Sequence, residues 1–279
     1  MVIPAHDEAA VVERCLRALL ADARPGEFEV VVVANGCADD TALRAKTAET
    51  LLPCDVLVLE LAVASKSAAL RAGDGAVSVY PRLYVDADVV CPTASARALV
   101  DALKEPAAEL AVPERVLDLT EVTRSARAYL RTWEGFPWVR VQPSGRGVYG
   151  LSHTGRRRLG GFPDVVADDY WVTTRFPEDA VRVVSEAPVT IPPAPSVRAL
   201  VRARTRMFAG NLQLGSVPHP PPECGGRRSY LVRRVGRPAA WPGLALYVGV
   251  TMLAKSRARR ALRGGRIPWG RAPSEREPA

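Results

Sequence analysis

The chain has 279 residues, 48% of them apolar, and carries a formal net charge of +8. That length suits one large domain, or one domain with an appendage, built on a sizeable core. Its five cysteines, at 15, 37, 54, 91 and 224, are odd in number and form no C-x-x-C pair, and there are only three histidines. Neither a disulfide framework nor a zinc site is implied, and a reducing cytosol is the expected compartment.

Residues 2–4 read as the tail of a first strand with no signal peptide before it, and so short a strand leaves room for a start a few residues upstream. A helix follows over 8–21, where Val12, Leu16, Leu19 and Leu20 share one face. The apolar run at 28–33 predicts a parallel strand covered on both faces, as do the runs at 55–59 and 82–86. Helices are predicted at 41–51, 65–77 and 93–103, the second interrupted by Gly73 and Gly75. This alternation builds a parallel sheet with right-handed crossovers.

From 114 to 180 the pattern is less regular, with an aromatic-rich stretch at 129–138, an alternating strand at 138–142, a turn at 160–163 and a helix from Asp168-Asp169 to 176. A strand at 181–185, a Pro-rich break at 192–195 and a basic helix over 196–214 come next. Residues 215–228, rich in Pro and Gly, read as a linker, so that 1–214 forms the main domain and 229–279 a basic, partly apolar extension.

Ligands of open parallel sheets bind beyond the carboxyl ends of the strands. Three polar clusters fall at such ends: Pro4-Ala5-His6-Asp7-Glu8, Ala34-Asn35-Gly36 and Asp86-Ala87-Asp88. Two carboxylates one residue apart supply hard oxygen donors for Mg²⁺ or Mn²⁺, ions that in turn suit a diphosphate. A strand-end turn also favours Asp for its own sake.

Lys255, Arg257, Arg259, Arg260, Arg263, Arg266 and Arg271 crowd the end of the chain. The apolar run at 241–254 before them is too short for a bilayer, which takes about 20 residues. It reads either as an interfacial segment with its arginines on anionic headgroups or as a core helix with a solvated basic end.

Taken in order, these clusters resemble glycosyltransferase family 2. Residues 2–8 are similar to the family's opening strand and Pro-x-x-Asn-Glu turn, and residues 32–41 to its second strand and Asp-Asp-Gly-Ser-x-Asp-x-Thr segment. Lys66 with the Ala-Leu-x-x-Gly at 69–73 resembles a third signature, Asp86-Ala87-Asp88 the metal motif, and Gly160-Gly161-Phe162 with Asp168-Asp169 the Gly-Gly-Phe and Glu-Asp pair near the acceptor. The likeness covers about residues 1 to 210. Ala34 and Asn35 replace two aspartates, Asp7 an asparagine and Asp168 a glutamate. The Gln-x-x-Arg-Trp motif of processive synthases is missing, which argues for addition of one sugar.

The resemblance implies a GT-A fold, a Rossmann-like, mostly parallel α/β sheet flanked by helices, here with a basic helical C-terminal extension. It implies an inverting transferase moving a sugar from a nucleotide-sugar, a UDP-sugar by preference, to an acceptor hydroxyl on a lipid carrier, a glycan or a small molecule. Asp88 would bind Mg²⁺ or Mn²⁺, Asp86 would lie near the ribose or the metal, and Asp169 would be the catalytic base. Asp168, Gly161 and Phe162 would stand on the acceptor side. Pro4, Glu8, Asn35 and Asp39 would line the nucleoside, with Lys66 near base or phosphate. Trp133, Phe136 and Trp138 would stack on an acceptor sugar or pack in the core, and Arg202, Arg204 and Arg206 would reach phosphate or stay solvated. His6 and His153 stay outside the chemistry. The protein would be cytoplasmic, either free or peripheral at the inner face of the membrane, where the basic C-terminus would meet an anionic surface, and nucleic acid is not an expected partner.

Two other functions compete. Residues 145–150 match G-x-G-x-x-G with Asp168-Asp169 almost 20 residues on, a dehydrogenase fingerprint if the glycines follow a first parallel strand and open a helix. A non-catalytic membrane- or nucleic-acid-binding module would use the basic tail alone. A related nucleotidyltransferase would need a Gly-rich phosphate loop near the N-terminus, and none is visible.

Overall fold

The computed structural model describes residues 1–49, 52–165, 167–214 and 241–264. The linker expected at 215–228 lies outside them. Packing divides the chain into two compact units, one formed by Met1–Asp118 and Pro143–Pro192, the other by Leu119–Gln142 and the described part of Pro193–Arg271.

The strands are β1 (Val2–Ala5), β2 (Val30–Asn35), β3 (Val56–Leu61), β4 (Arg82–Val85), β5 (Leu110–Leu117), β6 (Val148–Leu151) and β7 (Val181–Ile191). The helices are α1 (Val12–Leu20), α2 (Thr41–Glu49), α3 (Lys66–Ala76), α4 (Thr93–Ala102), α5 (Arg124–Glu134), α6 (Pro137–Val141), α7 (His153–Leu159), α8 (Asp168–Thr173), α9 (Val197–Gln213) and α10 (Trp241–Arg263).

In the first unit all seven strands form one sheet in the order β3-β2-β1-β4-β6-β5-β7. Neighbours pair in parallel except β6, which runs against both β4 and β5. The mostly parallel α/β sheet expected from the sequence is therefore present. Every residue of β1, β2 and β4 is buried, as a strand covered by helices on both faces requires. Ile3, Val30 and Val32 share a core with Leu16 and Leu19 of α1 and with Ala96 and Leu99 of α4. On the other face Val2 and Val33 meet α3 at Gly73.

Several elements differ from expectation. α3 runs unbroken through Gly73 and Gly75. At Gly73 the reason is packing: a Cβ there would lie 2.4 Å from Val2 Cγ1 and 3.1 Å from Val33 Cγ2, so the bare backbone lets the helix rest on the sheet. The alternating segment 138–142 is not a strand. Pro137 occupies the first turn of the short helix α6, where its fixed φ and missing N–H suit a helix start. β5 and β6 form where the sequence looks irregular, and β7 continues past 185 to Ile191, stepping over a register shift beside Pro113.

Pro4 shapes the middle of the sheet. The Met1 carbonyl accepts from Val31 N, so strand alternation turns residues 1, 3 and 5 toward β2 and residues 2 and 4 toward β4. Pro4 has no N–H to give on that side. The β1–β4 register is accordingly a single pair, Val2↔Tyr84, against four pairs between β1 and β2.

The second unit is helical. α10 packs on α5 and α9, burying Val250, Ala254 and Ala258. Tyr247 lies 5.5 Å from the Tyr129 ring and 4.8 Å from Phe136, which in turn stacks on Trp138. Arg204 stands over the Trp133 ring and Lys255 over Phe208. Among the described residues no helix is long and apolar enough to cross a membrane.

Candidate active site

Lys66 is the first residue of α3, held there by the Ser65 cap, whose side chain accepts from Ala68 N. With α3 pressed on the sheet at Gly73, the lysine reaches the ends of the central strands. Its Nζ lies 2.8 Å from Asp86 Oδ1 and 3.1 Å from Asp168 Oδ2. Burial pulls the ammonium toward neutrality, but Asp168 and Asp86 outweigh it and its pKa is raised. Lys66 is a cation at all working pH values.

Asp86 follows β4, and its N–H donates to the Gly147 carbonyl across the β4–β6 ladder at 2.8 Å. Gly147 has φ +68°, and a Cβ there would sit 2.5 Å from Val89 Cγ2, so both conformation and space demand glycine. Asp88 lies one turn further and is only 5% exposed. Its backbone carbonyl accepts from Arg14 Nη2.

α8 brings the second carboxylate pair. Asp168 is buried beside Lys66; burial pushes its carboxyl up, Lys66 draws it back, and Asp169 and Asp86 push it up again, to about 6. Asp169 is half-buried and oriented by two backbone donors, Gly145 N to Oδ2 and Tyr170 N to Oδ1, both at 2.7 Å. Pro4, Lys66, Asp86, Gly145, Asp168 and Asp169 line one pocket.

The other expected residues are placed as follows. Glu8 N donates to Thr41 Oγ1, and Ala9 N to Asp39 Oδ2. Asp39 also accepts from Thr41 N and from the Thr41 hydroxyl, so it caps the start of α2. Asn35 departs from expectation: it is 0% exposed, its Nδ2 donates to the Ala5 and Val33 carbonyls, and its Oδ1 accepts from Ser65 N. It ties the ends of β1 and β2 to the start of α3 and presents no surface to a nucleoside. Phe162 departs likewise. It is 3% exposed and packs edge-on against Tyr84, while its carbonyl accepts from Arg71. Gly161 is exposed beside it.

Two pocket residues escaped the sequence reading. Tyr149 stacks on Tyr84 at 4.8 Å, and burial, then Asp168, keeps its phenol neutral far above its ordinary range. Gly145, at φ +72°, turns its N–H onto Asp169. The signal for both lay in the G-x-G-x-x-G at 145–150. In the fold that run enters antiparallel β6 and opens no helix, so the dinucleotide context is missing.

The carboxylates offer all-oxygen, hard donors. Among the described residues they gather no trio of ligand atoms; Mg²⁺-type ions take one or two carboxylates and complete their shell with phosphate and water. Asp86 and Asp168 draw the Lys66 ammonium to this edge.

A sequence profile described as "Glycosyl transferase family 2" matches residues 1–158. No curated protein matches the chain. Among solved structures it is similar to a mannosyltransferase, PcManGT, from Pyrobaculum calidifontis in complex with GDP-Man and Mn²⁺, at TM-score 0.61 and 19% identity over 96% of this chain and 75% of that one. It is also similar to glucosyl-3-phosphoglycerate synthase from Mycobacterium tuberculosis in complex with Mn²⁺, UDP and glucosyl-3-phosphoglycerate, at TM-score 0.56 and 19% identity over 78% of this chain and 79% of that one. At such identity the likeness speaks for the fold.

Proposed function

The chain belongs to glycosyl transferase family 2 and is a glycosyltransferase; we propose that it moves a single sugar, with inversion, from a nucleotide-sugar to an acceptor hydroxyl. The observation that carries this reading is the convergence of Asp86, Asp168 and Asp169 with Lys66 in one pocket at the carboxyl ends of the strands. The solved structures it resembles hold Mn²⁺ with GDP-Man or with UDP, and a UDP-sugar is our choice of donor.

Asp88 and Asp86 would hold Mg²⁺ or Mn²⁺, whose contribution is to neutralise charge growing on the leaving diphosphate. Lys66 supplies a fixed positive charge at the same edge. Asp169, aimed by Gly145 and Tyr170, takes the proton of the acceptor hydroxyl. Asp168 holds Lys66 in place. Pro4, Glu8 and Asp39 border the nucleoside, and the acceptor is a lipid carrier, a glycan or a small molecule. Asp168 as the base is the second reading, favoured by its pKa of about 6, nearer to neutral pH than an ordinary carboxyl.

A surface on the second unit supports peripheral attachment to an anionic membrane from the cytoplasmic side. α10 carries five cations, Lys255, Arg257, Arg259, Arg260 and Arg263, and no acid. Its exposed apolar side chains include Trp241 at 56% and Met252 at 67%.

The test is nucleoside diphosphate release across UDP-, GDP- and dTDP-sugars, with Mn²⁺ or Mg²⁺ and with chelator. Metal-dependent release from one donor, lost in Asp88→Ala, supports the reading. Silence across the panel, with no sugar-nucleotide binding by calorimetry, sinks it.

A further inference from the structure

The spacing of cysteines and histidines along the chain announces no metal site, yet the fold brings His6, Asp7 and Cys37 together at two strand ends. We propose that His6, Asp7 and Cys37 bind a borderline-soft divalent cation, with Zn²⁺ as the natural occupant, at a place separate from the hard-cation edge at Asp86 and Asp88. His6 and Asp7 lie in the turn after β1, Cys37 in the turn after β2. One nitrogen, one oxygen and one sulfur come within 4.8 Å of one another.

The surroundings orient each ligand, although Cys37 gives its S–H to the Ala5 carbonyl at 3.6 Å and burial pushes that thiol up. His6 Nδ1 lies 2.8 Å from the Asn35 carbonyl. A carbonyl only accepts, so Nδ1 carries the proton and the neutral ring keeps its lone pair on Nε2, the arrangement usual for a metal-bound histidine. Nε2 faces Asp7 Oδ2 at 3.7 Å. The other oxygen, Oδ1, is fixed by Ala38 N at 2.7 Å. Asp7 adopts φ +50°, in the left-handed region, which Asp visits more readily than most residues. Cys37 Sγ, half-buried, accepts from the Asp7 N–H at 3.4 Å. The Asn35 carbonyl behind His6 is itself anchored, since the Asn35 side chain is locked to Ala5 and Ser65.

The donor set decides the metal. Imidazole and thiolate select Zn²⁺-like ions, whereas Mg²⁺ and Mn²⁺ prefer the all-oxygen edge. Three protein ligands leave a fourth tetrahedral position for water. On binding, the Cys37 S–H bond breaks, a sulfur–metal bond forms and the proton passes to solvent. The ion then staples the turn after β1 to the turn after β2.

Co²⁺ reports on such a site by absorption. Full-length protein saturated with Mg²⁺ is titrated with Co²⁺. The expected result is a thiolate-to-cobalt charge-transfer band with visible bands of tetrahedral intensity, both displaced by Zn²⁺. Cys37→Ser should lose the charge-transfer band, His6→Gln should weaken binding at least tenfold, and Asp86→Asn with Asp88→Asn should leave the band in place. Zn²⁺ should raise the Tm of the parent protein and not that of Cys37→Ser. Absence of the band at excess Co²⁺, or its survival in Cys37→Ser, overturns the proposal. If Cys37→Ser lost its fold, as judged by circular dichroism, the parent spectrum and His6→Gln would still decide. The readout is absorption and not turnover, so its failure would leave the transferase reading untouched.

Discussion

Asp86, just past β4, and Asp168, at the start of α8, share one ammonium: Lys66 Nζ lies 2.8 Å from the first and 3.1 Å from the second. The two carboxylates come from before and after the reversed strand β6 in the chain, and without a cation between them they would repel. Lys66 thus holds the end of β4 and the α8 carboxylates in one arrangement.

Lys66→Met should therefore cost more than a surface lysine would. Lys66 is partly buried and Asp86 more exposed than Asp168, so removing the ammonium leaves chiefly Asp168 uncompensated, and the loss is about 1–3 kcal/mol. Urea unfolding at pH 7 measures it. A loss under about 0.5 kcal/mol, the level of an ordinary surface substitution, would contradict this role.

Asp168 gives a pH signature. Its folded pKa is raised from the ordinary 3.8 to about 6. A raised pKa means that the folded state prefers the protonated form, so this group's contribution is complete below 3.8 and is lost as pH climbs through 6. Asp168→Asn, which mimics the protonated form, should match the parent at pH 4 and exceed it at pH 8 by about 1–3 kcal/mol. Equal stabilities at pH 8 would show that Lys66 compensates the ionised carboxylate in full.

The base is separable by kinetics. Asp169→Asn should lower kcat by about 10²–10⁴ while donor binding by calorimetry stays close to the parent. Asp168→Asn should affect KM and kcat together through Lys66. The opposite pattern would transfer the base role to Asp168.

Gly73→Ala tests the seat of α3. Alanine favours a helix interior by about 1 kcal/mol, but its Cβ would stand 2.4 Å from Val2 Cγ1, on a stiff, fully buried side chain. Overpacking of this kind costs about 1–3 kcal/mol and pushes the helix off the sheet. We expect a lower Tm and weaker donor binding, because Lys66 moves with the helix. A Tm equal to or above the parent's would refute the packing argument.

The α10 surface predicts salt-sensitive binding to vesicles of phosphatidylglycerol and none to phosphatidylcholine. Each basic side chain near an anionic surface is worth about 1 kcal/mol, so reversing Arg259, Arg260 and Arg263 to Glu should abolish cosedimentation. Equal binding to both lipids would remove the electrostatic component.

The strands β1, β2 and β4 were legible because they are buried on both faces and stand out as short apolar runs. Their ends were legible too, since polar residues interrupt each run. β5 and β6 were not: β6 is only four residues long and glycine-rich, and β5 is marked by Pro113 and by charges at Glu114 and Arg115. Asp86, Asp168 and Asp169 line one pocket. Asn35 and Phe162 did not follow the pattern, because a sequence shows a polar or aromatic residue at a strand end or turn but not which neighbours satisfy it. The pairing of His6 with Cys37 depends on two parallel strands lying side by side, a relationship no local spacing reveals.

Pro4 leaves the sheet with a seam. On one side stand β3, β2 and β1 with the Glu8 and Asp39 turns; on the other stand β4 and β6 with Asp86 and the loop that aims Asp169. Among the described residues the β1–β4 ladder has the single pair Val2↔Tyr84, and side chains such as Lys66 and Arg14 make further links to Asp86 and Asp88. A residue with an amide at position 4 could extend the stitching toward Asp86 and draw the halves closer, narrowing the floor on which a donor would lie. Pro4 thus ends the β1–β4 ladder short of Asp86.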